Sequence, residues 1–104
     1  MGRKTVEKLR TRVVKNFLDI LVLTEMKDNP LSGYDVIGLI HKRYDILVSS
    51  GTVYSLLYSL EQEGVIRGAQ NQRKRVYELT EKGEQSLGDI MRVNGDIQNL
   101  LKKI

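Results

Sequence analysis

The sequence predicts a mainly helical α+β domain in which three helices precede a two-stranded hairpin and a long final helix follows it. Three observations carry that expectation. Apolar residues recur at helical spacing in four separate stretches; serine or threonine stands ahead of three of them as an N-cap; and two short β-branched and aromatic runs, "VIRG" and "KRVYELT", fall next to each other after Gly64.

Val13, Val14, Phe17, Leu18, Leu21 and Val22 give the first helix, which "KDNP" closes near Lys27, since Pro30 disfavours helix in the residue before it. Val6 and Leu9 continue the stripe backwards, which allows the basic N-terminal arm itself to be helical. In "LSGYDVIGLIHKRY", Ser32 caps a second helix, with Asp35 three residues on completing a capping-box pair. Val36, Ile37 and Ile40 form its buried face, and it ends around Arg43. "VSSGT" opens the third helix at Ser49 or Ser50. There Val53, Leu56, Leu57 and Leu60 make an inward stripe, and Gly64 suits the left-handed residue beyond the helix end. The opposite face of this helix carries Thr52, Tyr54, Ser55, Tyr58 and Ser59. The two strand runs enclose "AQNQR", of loop length for a hairpin, so the tip is basic. Thr80 then caps a last helix whose Leu87, Ile90, Asn94, Ile97, Leu101 and Ile104 alternate by three and four residues, the pattern of a coiled-coil seam.

A chain of 104 residues, 40% of them hydrophobic, makes one compact domain and buries only about 60–65% of its unfolded surface, which favours association with a second copy. No apolar run reaches membrane-spanning length and "MGRKTVEKLR" has no apolar leader core, so a soluble cytoplasmic protein is expected. Cysteine is absent and His41 is the one histidine, which excludes disulfides, thiolate metal sites and a triad. His41 itself reads as a surface or boundary residue without a role. No cofactor is expected. Nor is an enzyme, because there is no Gly-rich phosphate loop and no nucleophile beside a base. The net charge of +4 and pI near 9.4 point to a polyanionic partner. The bases form two clusters: Arg3, Lys4, Lys8, Arg10, Arg12 and Lys15 against Glu7 alone, and Arg67, Arg73, Lys74, Arg75 and Lys82 against Glu78 and Glu81.

This order of elements is that of a winged helix-turn-helix, spanning residues 1–80, with a dimerisation helix over residues 81–104. In such a domain the third helix enters the major groove and the hairpin wing reaches the adjacent backbone. Ser49, Ser50, Gly51 and Thr52 would then offer helix N-terminal N–H groups to a phosphate. Tyr54, Ser55 and Tyr58 would position or read the groove, and Arg73, Lys74 and Arg75 would grip the backbone. Strand alternation would send Arg73 and Arg75 to one side together. The plainer alternatives are a solvated Ser/Tyr face, one tyrosine packed under the wing, and a hairpin tip that is only solubilising. For the N-terminal bases a partnerless tail stands equally open. Leu87, Ile90, Asn94, Ile97, Leu101 and Ile104 would form the dimer seam, with Asn94 selecting register and two strands.

On the residues "LSGYDV", "SGTVY", the spaced Leu57 and Leu60 leading to "EQEGVI", and "YELTEKG", the chain resembles the PadR-like winged-helix transcriptional regulators from Phe17 to Gly83. That resemblance implies a homodimeric DNA-binding repressor or activator, with "SGTVY" opening its recognition helix and the C-terminal helix packing on the partner's first helix. Val48 stands where the family often has proline, the tip "AQNQRKR" lacks the family's Gly/Pro-rich turn, and the chain has no Trp and too few residues for a separate effector domain. The expected function is therefore a sequence-specific regulator of transcription, a repressor in particular, binding double-stranded DNA as a homodimer on an inverted repeat. The alternative is a winged-helix module for protein or RNA contact in a transcription-related complex. A small-molecule effector is left open.

Overall fold

The computed structural model describes residues 2–103, the side chains of residues 10–16 and of Asn94 excepted. Its elements are α1 (Arg3–Asn16), α2 (Leu18–Met26), β1 (Leu31–Ser32), α3 (Gly33–Tyr44), α4 (Ser50–Gln62), β2 (Ile66–Asn71), β3 (Lys74–Leu79) and α5 (Glu81–Lys102).

The first expected helix is two helices. The arm is helical, but Phe17 leaves helical geometry (φ −107°, ψ 12°) and its carbonyl accepts the first α2 bond from Leu21 at 3.0 Å. The interruption separates two environments. Residues 3–9 of α1 are exposed, whereas Leu18, Val22, Leu23 and Met26 of α2 are buried. The side chains of Val13 and Val14 lie outside the description.

α3 begins as expected. The Asp35 N–H donates to Ser32 Oγ (3.1 Å) and the Ser32 N–H donates to the Asp35 carboxylate (2.9 Å), which satisfies two of the donors that every helix start leaves open. The helix continues one residue past Arg43, to Tyr44, and Asp45 leaves it in the left-handed conformation (φ 53°). Ser49, not Ser50, caps α4, accepting the Thr52 N–H at 3.1 Å. At the other end Val65 N–H donates to Leu60 O (3.2 Å) and Gly64 N–H to Glu61 O (3.0 Å), a Schellman closure that needs φ above zero at Gly64, here 79°.

The hairpin is longer and its loop shorter than expected. β2 and β3 pair antiparallel from Ile66↔Leu79 to Asn71↔Lys74, so Ala69, Gln70 and Asn71 are strand residues and only Gln72 and Arg73 turn the chain. Exposed strand positions tolerate polar side chains, and the ladder is made by backbone groups alone. Gln72 at φ 59° supplies the positive φ that a two-residue hairpin turn takes, in place of glycine. A further strand, β1, pairs Leu31 with Tyr77 and Ser32 with Val76, which gives a three-stranded sheet in the order β1-β3-β2. Two residues are too few to show a period in sequence.

Every element from α2 to α5 contributes to one core. Val53 and Leu57 of α4 are fully buried, with Leu60 and the more open Leu56 beside them; Val36 and Ile40 face them from α3, with Ile37 at the margin. Ile46 and Val48 close the connection between α3 and α4, and Val65, Ile66, Tyr77 and Leu87 complete the packing. α5 is anchored at its start. Thr80 caps it through the Gly83 N–H (3.1 Å) and also donates its hydroxyl to Gly64 O at 2.6 Å, while Lys82 Nζ reaches Glu63 O at 2.7 Å. Beyond Leu87 the helix runs clear of the core. The radius of gyration, 15.2 Å, accordingly exceeds the roughly 13 Å of a compact chain of this length.

Candidate nucleic-acid interface

Burying Val53, Leu57 and Leu60 turns Thr52, Tyr54, Ser55, Tyr58 and Ser59 outward, and all five are exposed. Tyr58 stands free of the core at 64% exposure. Tyr54 leans its ring on the backbone of Gly33, where a Cβ would come within 2.5 Å of the ring edge, so α3 and not the wing supports it. At the start of α4 the Ser49 hydroxyl pairs with that of Thr52 at 2.8 Å as well as taking the Thr52 N–H, and Val53 N–H is taken by Ser49 O. Among the described residues the N–H groups of Ser50 and Gly51 have no partner, and they remain open to an anion.

The three bases of the wing stand in different settings. Arg73 lies in the turn, so strand alternation does not run through it and it does not share a side with Arg75 by register. Among the described residues it makes no ion pair. Lys74 begins β3, exposed, and acts at a distance on Asp35. That carboxyl is held below the usual range chiefly by the Ser32 N–H, with desolvation opposing and the Ser32 hydroxyl and Lys74 assisting. Arg75 is engaged: its guanidinium pairs with Glu61 at 2.8 Å and lies over the Tyr77 ring, 5.6 Å from the centroid. The Glu61 bond raises its pKa further. Arg67 pairs across the strands with Glu78 at 2.8 Å.

Along the expected seam Leu87 is buried, Ile90 half-buried, and Ile97 and Leu101 exposed at 49% and 61%. The Asn94 side chain and Ile104 lie outside the described residues. Met91, Val93 and Leu100 are exposed beside them. Between α2 and α5 runs an apolar groove of about 450 Å³, lined by Phe17, Ile20, Leu21, Asp89, Ile90, Met91, Val93 and Ile97. His41 is exposed. Among the described residues no cluster of His, Cys, Asp and Glu could hold a metal, and no helix is long and apolar enough to cross a membrane.

The family model described as the transcriptional regulator PadR-like family matches residues 22–89. The chain belongs to that family. Its matched segment runs from the middle of α2 to the first turns of α5 and holds all of the buried core but Leu18. Solved structures share the fold. A PadR family transcriptional regulator from Eggerthella lenta superposes with a TM-score of 0.83 at 20% identity, over 96% of this chain and 91% of that one. A winged-helix DNA-binding protein from STIV does so with a TM-score of 0.67 at 27% identity, over 81% and 91%. Bacillus subtilis PadR, solved in complex with operator DNA, matches with a TM-score of 0.62 at 27% identity, over 71% of this chain and 46% of that one. No curated protein matches the chain. The fold is the winged helix expected from the element order, with β1 added to the two strands of the wing.

Two residues of the surface escaped sequence reading. Tyr34, in the first turn of α3 and 81% exposed, stands next to the Gly33 that carries Tyr54. Only the two-residue β1, which brings this turn to β3, reveals the neighbourhood. Glu61 stands in the sequence only as the first residue of "EQEGVI", with no role of its own. Its role appears once β3 delivers Arg75 to it.

Proposed function

We propose that the protein is a sequence-specific regulator that binds double-stranded DNA as a homodimer, most simply as a repressor that occupies its operator. The carrying observation is the exposed hydroxyl face of α4, with two open backbone N–H groups at its start, set beside a wing whose tip presents Arg73 and Lys74. Thr52, Tyr54, Ser55 and Tyr58 enter the major groove. Ser49 shapes the α4 N-terminus, where Ser50 and Gly51 hold a phosphate, and the wing tip holds another. Bacillus subtilis PadR, with its operator-bound structure, supports the reading.

The support for the homodimer is α5. Ile90, Asn94, Ile97 and Leu101 continue beyond the point where the chain's own core ends, Ile104 keeps the same spacing in the sequence, and the groove beside Phe17 and Leu21 gives a partner helix an apolar seat. With two-fold symmetry the two α4 helices meet half-sites about one helical turn, roughly 34 Å, apart.

Titration of a duplex across a salt series tests the DNA reading. Binding should weaken steeply with salt, and Arg73→Ala with Lys74→Ala should flatten the logarithmic slope by about 0.9 for each phosphate that is no longer neutralised, equally on all sequences. An unchanged slope removes the wing tip from the interface. Absence of duplex binding by the parent protein removes the DNA reading itself in favour of protein or RNA contact.

A further inference from the structure

At the root of the wing one carboxylate oxygen serves two donors from different parts of the hairpin. Glu61 Oε2, in the last turn of α4, accepts the Gly68 N–H at 3.0 Å and the Arg75 guanidinium at 2.8 Å. Arg75 reaches it by crossing Gly68. The register pairs Arg75 with Gln70 and so makes Gly68 its diagonal neighbour, where a Cβ would stand only 2.5 Å from Arg75 Nε. Tyr77, next along the same face of β3, offers its ring to the guanidinium. The planar fork of arginine suits this slot: it stacks on the ring and the bare backbone while its edge meets the carboxylate, which a lysine ammonium cannot do.

We infer that Glu61, Gly68 and Arg75 form a clamp that sets the angle of the wing to α4, so that Arg75 is a positioning residue and the phosphate contacts of the wing fall to Arg73 and Lys74. The inference rests on the DNA reading for its purpose, though the clamp itself is testable without DNA. It departs from the role that charge alone assigns to Arg75. A side chain held between a carboxylate, a ring and a glycine is not free to follow a phosphate. Fixing the wing before binding spares the ordering that a loose hairpin would require on contact.

The absence of native cysteine permits a direct measurement. Spin labels at Ser59→Cys on α4 and Asn71→Cys near the wing tip should give one narrow distance distribution in the full chain, broadened by Arg75→Lys and by Gly68→Ala. An unchanged distribution in both variants overturns the clamp. On DNA, the probes are the duplex that the parent protein enriches from a randomised pool and a scrambled duplex of equal length. Removing a negative charge from a DNA-binding face should tighten binding, whereas breaking a clamp should weaken it. Glu61→Gln is therefore expected to weaken the enriched duplex by about fivefold, the upper range for a partly exposed pair, with the scrambled duplex and the salt slope little changed. Arg75→Lys should lose as much as Arg75→Ala. Tighter binding by Glu61→Gln, or a salt slope lowered by about 0.9 in Arg75→Ala, would return Arg75 to the phosphates. If the parent binds no duplex but the labels still broaden, the clamp stands and the DNA reading falls.

Discussion

α4 and α5 carry apolar stripes of the same spacing and meet opposite fates. Val53, Leu57 and Leu60 vanish into the chain's own core, none more than 3% exposed, while Ile97 and Leu101 stay 49% and 61% exposed. Periodicity therefore announces that a helix needs a cover without saying which chain provides it. For α4 the cover is α3 and the sheet; for the distal part of α5 none of the described residues covers Ile97 and Leu101, and that is the place the proposal gives to a second copy.

The sharpest contrast between the two stripes comes from cutting into each. Leu57→Ala should destabilise the fold by about 2–5 kcal/mol at any protein concentration, because a fully buried side chain leaves a cavity within one chain. Chemical denaturation would show it as a lower midpoint. Leu101→Asp should leave that midpoint in dilute protein unchanged and instead cost about 3 kcal/mol of association, on the order of a hundredfold, by placing a charge in the seam. Sedimentation velocity checks it, and a dimer that persists would put the seam elsewhere.

A smaller effect separates local from global anchoring at the start of α3. Ser32→Ala should cost about 1 kcal/mol through loss of the α3 cap, without touching association. Its pH dependence has a definite sign. The Asp35 carboxyl is held below its ordinary 3.8, so its stabilisation is complete above that pH and is lost as pH falls through the lower folded value. Ser32→Ala keeps the backbone N–H that chiefly holds this carboxyl low, so parent and variant should both lose stability on strong acidification with most of the gap between them remaining, as thermal melts in an acid series would record.

Much of the fold was legible because its signals are local. Ser32 with Asp35, Ser49, Gly64 and Thr80 each mark a helix boundary with a hydrogen bond that reaches only a few residues, and each behaves as its chemistry requires. What escaped depends on residues far apart in the chain. β1 exists only because β3 offers it an edge, and Ala69, Gln70 and Asn71 read as loop because exposed strand positions need no apolar alternation. Phe17 looked like one more member of a continuous stripe, though it is the point where the helix divides. At the candidate site the outward face of α4 was visible from its inward one. The inequality of Arg73, Lys74 and Arg75 was not, since it arises from Glu61 and Gly68, seven residues apart, being brought to one edge of the hairpin.

Everything proposed for α4, the wing and α5 together requires that two copies read one inverted repeat. Selection of the purified protein against a randomised duplex pool at moderate salt, followed by sequencing of the retained molecules, tests it most directly. Enrichment of an inverted repeat with half-sites about one helical turn apart is the result expected; retention without any sequence preference would contradict it.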